Sequence, residues 1–128
     1  MPTELTMLAA SPVLTFILAF PSAFCLMFTK GIPFAAGNRD EPYELPAWAE
    51  RSSRAHRNML ENFPVFLALV LVVELGGATN ETTALGATLF LWGRVAHAIL
   101  YIAGVAWVRT AAYFVSVAGL LMIASEIF

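Results

Sequence analysis

Five polar side chains recur at three- and four-residue spacing in one short stretch: Arg51, Arg54, Arg57, Asn58 and Glu61. At about 100° per residue they share an arc of about 120°, one face of a helix. Arg94, His97 and Tyr101 follow the same spacing further along, and Arg109 and Tyr113 stand four apart. Several guanidinium groups beside one carboxylate suit a small anionic ligand that also carries an amine. Arginines hold carboxylates through paired N–H bonds, and Glu61 would take an ammonium. Tyr101 and Arg109 could stabilise an anion that develops during a reaction.

Taken singly, each residue has an ordinary structural account. Arg51 and Arg54 could anchor a helix at lipid headgroups. Arg57 and Glu61, four apart, could pair with each other, and Asn58 could hydrogen-bond between helices. Arg94 is harder to place. An arginine deep in a membrane span costs about 2.5–3.5 kcal/mol on insertion scales, so it needs a wet cavity or a partner, and a bridge to Glu61 is the plain alternative. Arg109 at a helix start is opposed by the helix dipole, which favours anions there. Cys25 reads as packing, and Trp48, Trp92 and Trp107 as interface or packing residues.

These residues sit in a chain of 128 residues, 59% hydrophobic and only 12% charged, with a mean hydropathy of +0.75. A soluble domain would carry roughly a quarter charged residues. The chain therefore reads as an all-α integral membrane four-helix bundle, with room for one small domain and helices at about 5–30, 46–75, 82–105 and 109–128. A net charge of −2 without a basic tail argues against a nucleic-acid partner. One cysteine excludes an internal disulfide, and no Cys/His spacing suggests a metal.

The apolar run Leu5–Phe28 has no Lys or Arg before it and exceeds a signal core in length, which points to a membrane helix, kinked at Pro12 and Pro21. Residues 31–47 read as a polar, turn-rich loop. In the second helix the purely apolar part, Phe63–Leu75, is 13 residues. Crossing about 30 Å at about 1.5 Å per residue requires drawing in residues back to Arg57. Arg57, Asn58 and Glu61 then lie at membrane depth, facing protein or water, and Pro64 suggests a kink. Lys30, Arg39, Arg51, Arg54, Arg57 and Arg109 fall on one side of the four spans, which places both termini outside and the polar cluster toward the cytoplasm.

The run Arg51-Ser-Ser-Arg54-Ala-His56-Arg57-Asn58-Met-Leu-Glu61-Asn62-Phe-Pro64 resembles the second-helix signature of the MAPEG family, the membrane-associated proteins in eicosanoid and glutathione metabolism. Gly93-Arg94-Val-Ala-His97-Ala-Ile-Leu-Tyr101 with Arg109-Thr-Ala-Ala-Tyr113 resembles the third- and fourth-helix pattern of its microsomal prostaglandin E synthase and glutathione transferase branch. The resemblance covers nearly the whole chain. It implies a homotrimer in the membrane lipid, with glutathione as cosubstrate between protomers near the cytoplasmic face and a lipophilic small molecule as second substrate. By motif position, Arg54, His56, Arg57, Asn58, Glu61, His97 and Tyr101 look like glutathione-binding residues, with Arg51, Arg94 and Tyr113 in support. Arg109 looks like the catalytic arginine that stabilises the glutathione thiolate.

The turn Val105-Ala-Trp-Val108 is apolar and shorter than in the prostaglandin branch, and Thr110 stands where that branch has serine. This argues against the isomerase reaction but not against thiolate activation. The resemblance implies a glutathione transferase, with peroxidase activity a further possibility within it. A non-catalytic member that binds lipid or a partner protein is the alternative. A transporter fits less well, since the polar stripes cluster at one end and line no continuous path.

Overall fold

The computed structural model describes residues 1–128, and every regular element in it is a helix. They are α1 (Thr3–Leu18), α2 (Phe20–Lys30), α3 (Ile32–Ala36), α4 (Ala47–Leu75), α5 (Glu81–Ala103) and α6 (Ala106–Ser125). α1 and α2 together form one candidate span, Thr3–Lys30, and α4, α5 and α6 supply three more. The shortest of the four, α6, has 20 residues, which reach about 30 Å, the thickness of a hydrocarbon core.

Prolines decide where these helices break. The sequence suggests one kinked first helix, but the structure divides it at Ala19. Pro21 has no N–H to give the Ile17 carbonyl, and the Ala19 N–H turns back to the Phe16 carbonyl at 3.1 Å. Pro12 and Pro64 lie inside α1 and α4 without ending either helix. The loop expected over 31–47 is not wholly irregular. Gly31, at φ +88°, ends α2, and Pro33 in the first turn of α3 is preorganised for a helix.

The corner between α5 and α6 is tighter than the sequence suggests. Gly104 adopts the left-handed conformation at φ +84°. Its N–H donates to Tyr101 O at 3.1 Å, and the Val105 N–H donates to Leu100 O at 2.9 Å. This compact helix end lets α6 start at Ala106. Arg109 is thus the fourth residue of α6 rather than its first.

Along their length α5 and α6 pack backbone to backbone. A Cβ on Gly86 or Gly119 would strike the other's carbonyl oxygen, and one on Gly93 would stand 2.9 Å from the Ser116 nitrogen. Small residues at such seams let membrane helices approach closely without a hydrophobic driving force. Beside the seam the core is built from Met59, Phe66, Val70, Phe90, Leu120 and Ile123. The rings of Phe66 and Phe90 stack at 4.0 Å, which joins α4 to α5.

One end of the bundle is closed by a polar network. Asn80 caps α5, its side-chain oxygen accepting the Thr83 N–H at 3.0 Å while its own N–H donates to Thr83 Oγ at 2.8 Å. The Thr83 hydroxyl in turn donates to Glu4 Oε1 at 2.5 Å, and Asn80 Nδ2 donates to Glu126 Oε2 at 2.5 Å. Four side chains therefore tie the start of α1 and the end of α6 to the N-terminus of α5. Glu4, a lone charge near the chain start in sequence, is only 4% exposed.

Candidate functional site

The opposite end carries the sequence-predicted residues. Arg54, Arg57, Asn58 and Glu61 of α4, spaced along one helical face, join Tyr101 of α5 around a cavity of about 190 Å³. A second cavity of about 320 Å³ is lined by Tyr43, Leu45, Glu50, Ser53, Arg54 and Arg57. Arg54 and Arg57 belong to both walls, so the cavities adjoin and offer room for an extended ligand.

Arg94 lies behind this wall and is 1% exposed. Its Nη2 donates to Asn58 Oδ1 at 2.5 Å. Nε and Nη1 are buried with no partner. Neither carboxylate pairing that the spacing allows is formed. The chain's one ion pair is Arg54 Nη2 to Glu50 Oε2 at 3.3 Å, so Glu61 bridges neither Arg57 nor Arg94. The physical reason is register: the packing of α4 on α5 sets Asn58, one turn before Glu61, opposite the guanidinium.

An aromatic relay runs from Arg94 to Arg109. The Arg94 Cζ stands 5.8 Å from the Tyr113 ring centre. His97, 4% exposed, lies 6.1 Å from Tyr113 and meets Tyr101 edge-on at 5.4 Å. The Arg109 Cζ sits 4.2 Å over the Tyr101 ring, well inside cation–π range. His97 Nδ1 is buried and unpartnered. Tyr101, a wall of the first cavity, is therefore the link between that cavity and Arg109.

Two residues of the same stretch point elsewhere within the chain. Arg51 Nε donates to the Ile102 carbonyl at 3.1 Å, at the C-terminal end of α5. His56 lines an apolar groove of about 320 Å³ with Leu60 and Phe63 of α4 and Pro12, Thr15, Phe16 and Ala19 of the first span. At about 100° per residue His56 falls about 140° from Arg51, on the far side of α4. Conversely, Glu50, Ser53 and Tyr43 join the site without a role assigned to them in sequence. The Glu50–Arg54 spacing of four carried a signal for one of them. Tyr43 sits in a loop, where no periodicity marks it; its ring packs edge-on against Phe34 at 5.6 Å.

Fold and site together define a helical membrane protein with a cationic pocket at one end of its spans and an incompletely paired buried arginine behind that pocket's wall. The MAPEG family model matches residues 5–128, and the chain belongs to the MAPEG family. That family includes glutathione transferases and related glutathione-dependent enzymes, together with members that are not enzymes. No curated protein matches the chain.

Proposed function

We propose that this protein is a membrane-embedded glutathione transferase of the prostaglandin E synthase and glutathione transferase branch. In this reading it activates the glutathione thiolate for attack on lipophilic electrophiles or hydroperoxides. One observation carries the reading: Arg94 is a guanidinium buried within a span, with two nitrogens unpartnered and no carboxylate beside it. An uncompensated buried charge costs several kcal/mol, on the order of the penalty for breaking a buried ion pair. An anionic ligand in the adjoining cavity offsets that cost. Glutathione brings two carboxylates and one ammonium, and the wall offers Arg54, Arg57, Asn58 and Glu61 to receive them.

The chemistry falls to the other end of the relay. A free thiol titrates near about 8.5, and a neighbouring guanidinium favours its anion. Arg109, held over Tyr101, is the cation for that sulfur, and the Tyr101 hydroxyl is the hydrogen-bond donor beside it. The thiol proton leaves to water. The sulfur then forms its bond to the electrophilic carbon, and the displaced group departs with the electron pair. His97 and Tyr113 hold Tyr101 and Arg94 in register. His56 has no part in this site within one chain.

Arg57 and Glu61 are exposed on α4, at a depth where an isolated chain would face lipid. A second copy covering that face removes the conflict, which supports an oligomer with the site between protomers, as in the homotrimer that the family resemblance implies. The basic residues gather at the same end, which supports termini outside and a cytoplasmic site.

The test is direct. Glutathione is added to the purified protein in detergent, and ultraviolet thiolate absorbance and conjugation of a generic aryl halide are followed. A thiolate signal at neutral pH with conjugation is the expected result. Binding without thiolate or conjugation would favour a non-catalytic binding member, and no binding would sink the glutathione reading altogether.

A further inference from the structure

We infer that Arg51 is a positioning residue that clips the end of α5 to α4 and thereby sets where Arg109 stands. Its kinetic consequences rest on the glutathione transferase reading; the clip itself does not.

Helix ends leave their last carbonyls unpaired unless something caps them. At the end of α5, Leu100 O accepts from the Val105 N–H and Tyr101 O from the Gly104 N–H. Ile102 O is next, and its partner is Arg51 Nε, fifty-one positions earlier in the chain, at 3.1 Å. The same guanidinium lies along Gly104: a Cβ there would be 3.4 Å from Arg51 Cζ. A cation at this place also complements the partial negative charge of a helix C-terminus.

Only Gly104 and Val105 separate α5 from α6. Tyr101 precedes this corner and Arg109 follows it, and their contact at 4.2 Å spans it. The corner's geometry is therefore the geometry of the Tyr101–Arg109 pair. Arg51 is the one side chain of α4 that hydrogen-bonds to the backbone of the last turn of α5, directly before the corner. It shares a helical face with the cosubstrate residues, yet its Nε is committed to a carbonyl.

The experiment compares Arg51→Ala and Arg51→Lys with the wild type in lipid nanodiscs. Amide hydrogen exchange over residues 104–109 reads the clip without any ligand. In Arg51→Ala, exchange there rises on the order of ten-fold, as expected when one hydrogen bond and its charge are removed. The thiolate titration of bound glutathione moves toward that of the free thiol. Turnover falls on the order of ten-fold, less than the hundred-fold that a displacement of about 1 Å can cost. Glutathione affinity stays within about three-fold, since the cavity walls are untouched. Arg51→Lys, which keeps the charge, restores part of each and remains informative if the alanine variant does not fold.

Unchanged exchange would overturn the inference. So would a loss confined to glutathione affinity with exchange and thiolate titration intact, which would make Arg51 a ligand contact. If the wild type binds no glutathione, the functional reading fails, and exchange alone still decides the clip.

Discussion

The two ends of the bundle treat buried polar groups in opposite ways. Where α1 begins and α6 ends, Glu4 is buried but receives the Thr83 hydroxyl, Thr83 completes the Asn80 cap, and Asn80 reaches Glu126. At the other end Arg94 is more deeply buried than Glu4 and keeps two nitrogens without partners, and His97 Nδ1 is likewise unpaired. Glu74 Oε1 is the one such orphan near the closed end. Buried polar atoms are paired in the great majority of cases, so an accumulation of exceptions has a local cause. The closed end satisfies itself and acts as a fastening. The open end leaves Arg94, His97 and Ser52 with unpaired polar atoms behind a wall whose cavity is lined by Arg54, Arg57, Asn58, Glu61 and Tyr101, and the proposed ligand would complete it from outside.

Breaking the open end gives the largest expected effects. Arg109→Ala removes the cation proposed to stand beside the sulfur and should abolish the thiolate signal at neutral pH. Conjugation rate falls on the order of a hundred-fold, the usual loss for one preorganised anion-stabilising group. Glutathione affinity, measured by calorimetry, changes little. A conjugation rate near wild type would move the thiolate-stabilising role to another group.

Arg94→Met separates ligand and fold more sharply. Removing a charged partner of a ligand costs roughly 1.5–3 kcal/mol of binding, about ten- to a hundred-fold in affinity. The fold, relieved of a poorly compensated buried cation, keeps or gains thermal stability. Loss of stability with full glutathione binding would make Arg94 a structural residue and remove the main support for the ligand reading.

The closed end predicts the reverse pattern. Thr83→Val keeps the shape of the side chain but removes the hydroxyl that serves both Glu4 and the Asn80 N–H. It leaves a buried carboxylate without its donor, at about 1–3 kcal/mol. Thermal unfolding should fall by several degrees, with glutathione affinity and conjugation rate unchanged. A parallel fall in affinity would join the two ends into one unit and erase the contrast.

Much of the open end was legible in the sequence, because helical periodicity alone aligns Arg54, Arg57, Asn58 and Glu61. The short apolar part of α4 likewise leads to the expectation that Arg57, Asn58 and Glu61 lie at membrane depth. What periodicity could not show was the partner of Arg94. Asn58 and Glu61 lie one turn apart on the same face, and the register of α4 on α5 selects between them. His56 shows the reverse: motif position groups it with the site, while its angle on the helix turns it toward the first span, where the structure has it. Glu4 was illegible as a buried residue because Thr83 is 79 positions away. Nor do Pro12 and Pro21 differ as residue types, yet only the second accompanies a break. The corner of α5 and α6 depends on Gly104 taking a positive φ, which brings Arg109 into the first turn of α6 and onto Tyr101.

The smallest expected effect lies at the rim of the open end, where Glu50 and Arg54 form an ion pair with both side chains about half exposed (49% and 51%). Pairs of this i,i+4 kind contribute about 0.3–0.5 kcal/mol. Glu50 therefore competes only weakly for a guanidinium that the cavity offers to a carboxylate. Glu50→Gln removes the competing charge and should tighten glutathione binding about two-fold, with thermal stability within experimental error. The gain should shrink as salt is added, because an exposed electrostatic contribution is screened. Weaker binding in Glu50→Gln would show instead that Glu50 receives the ligand's ammonium. The amine end of glutathione would then be placed in the larger cavity beside Tyr43 and Ser53, rather than at Glu61.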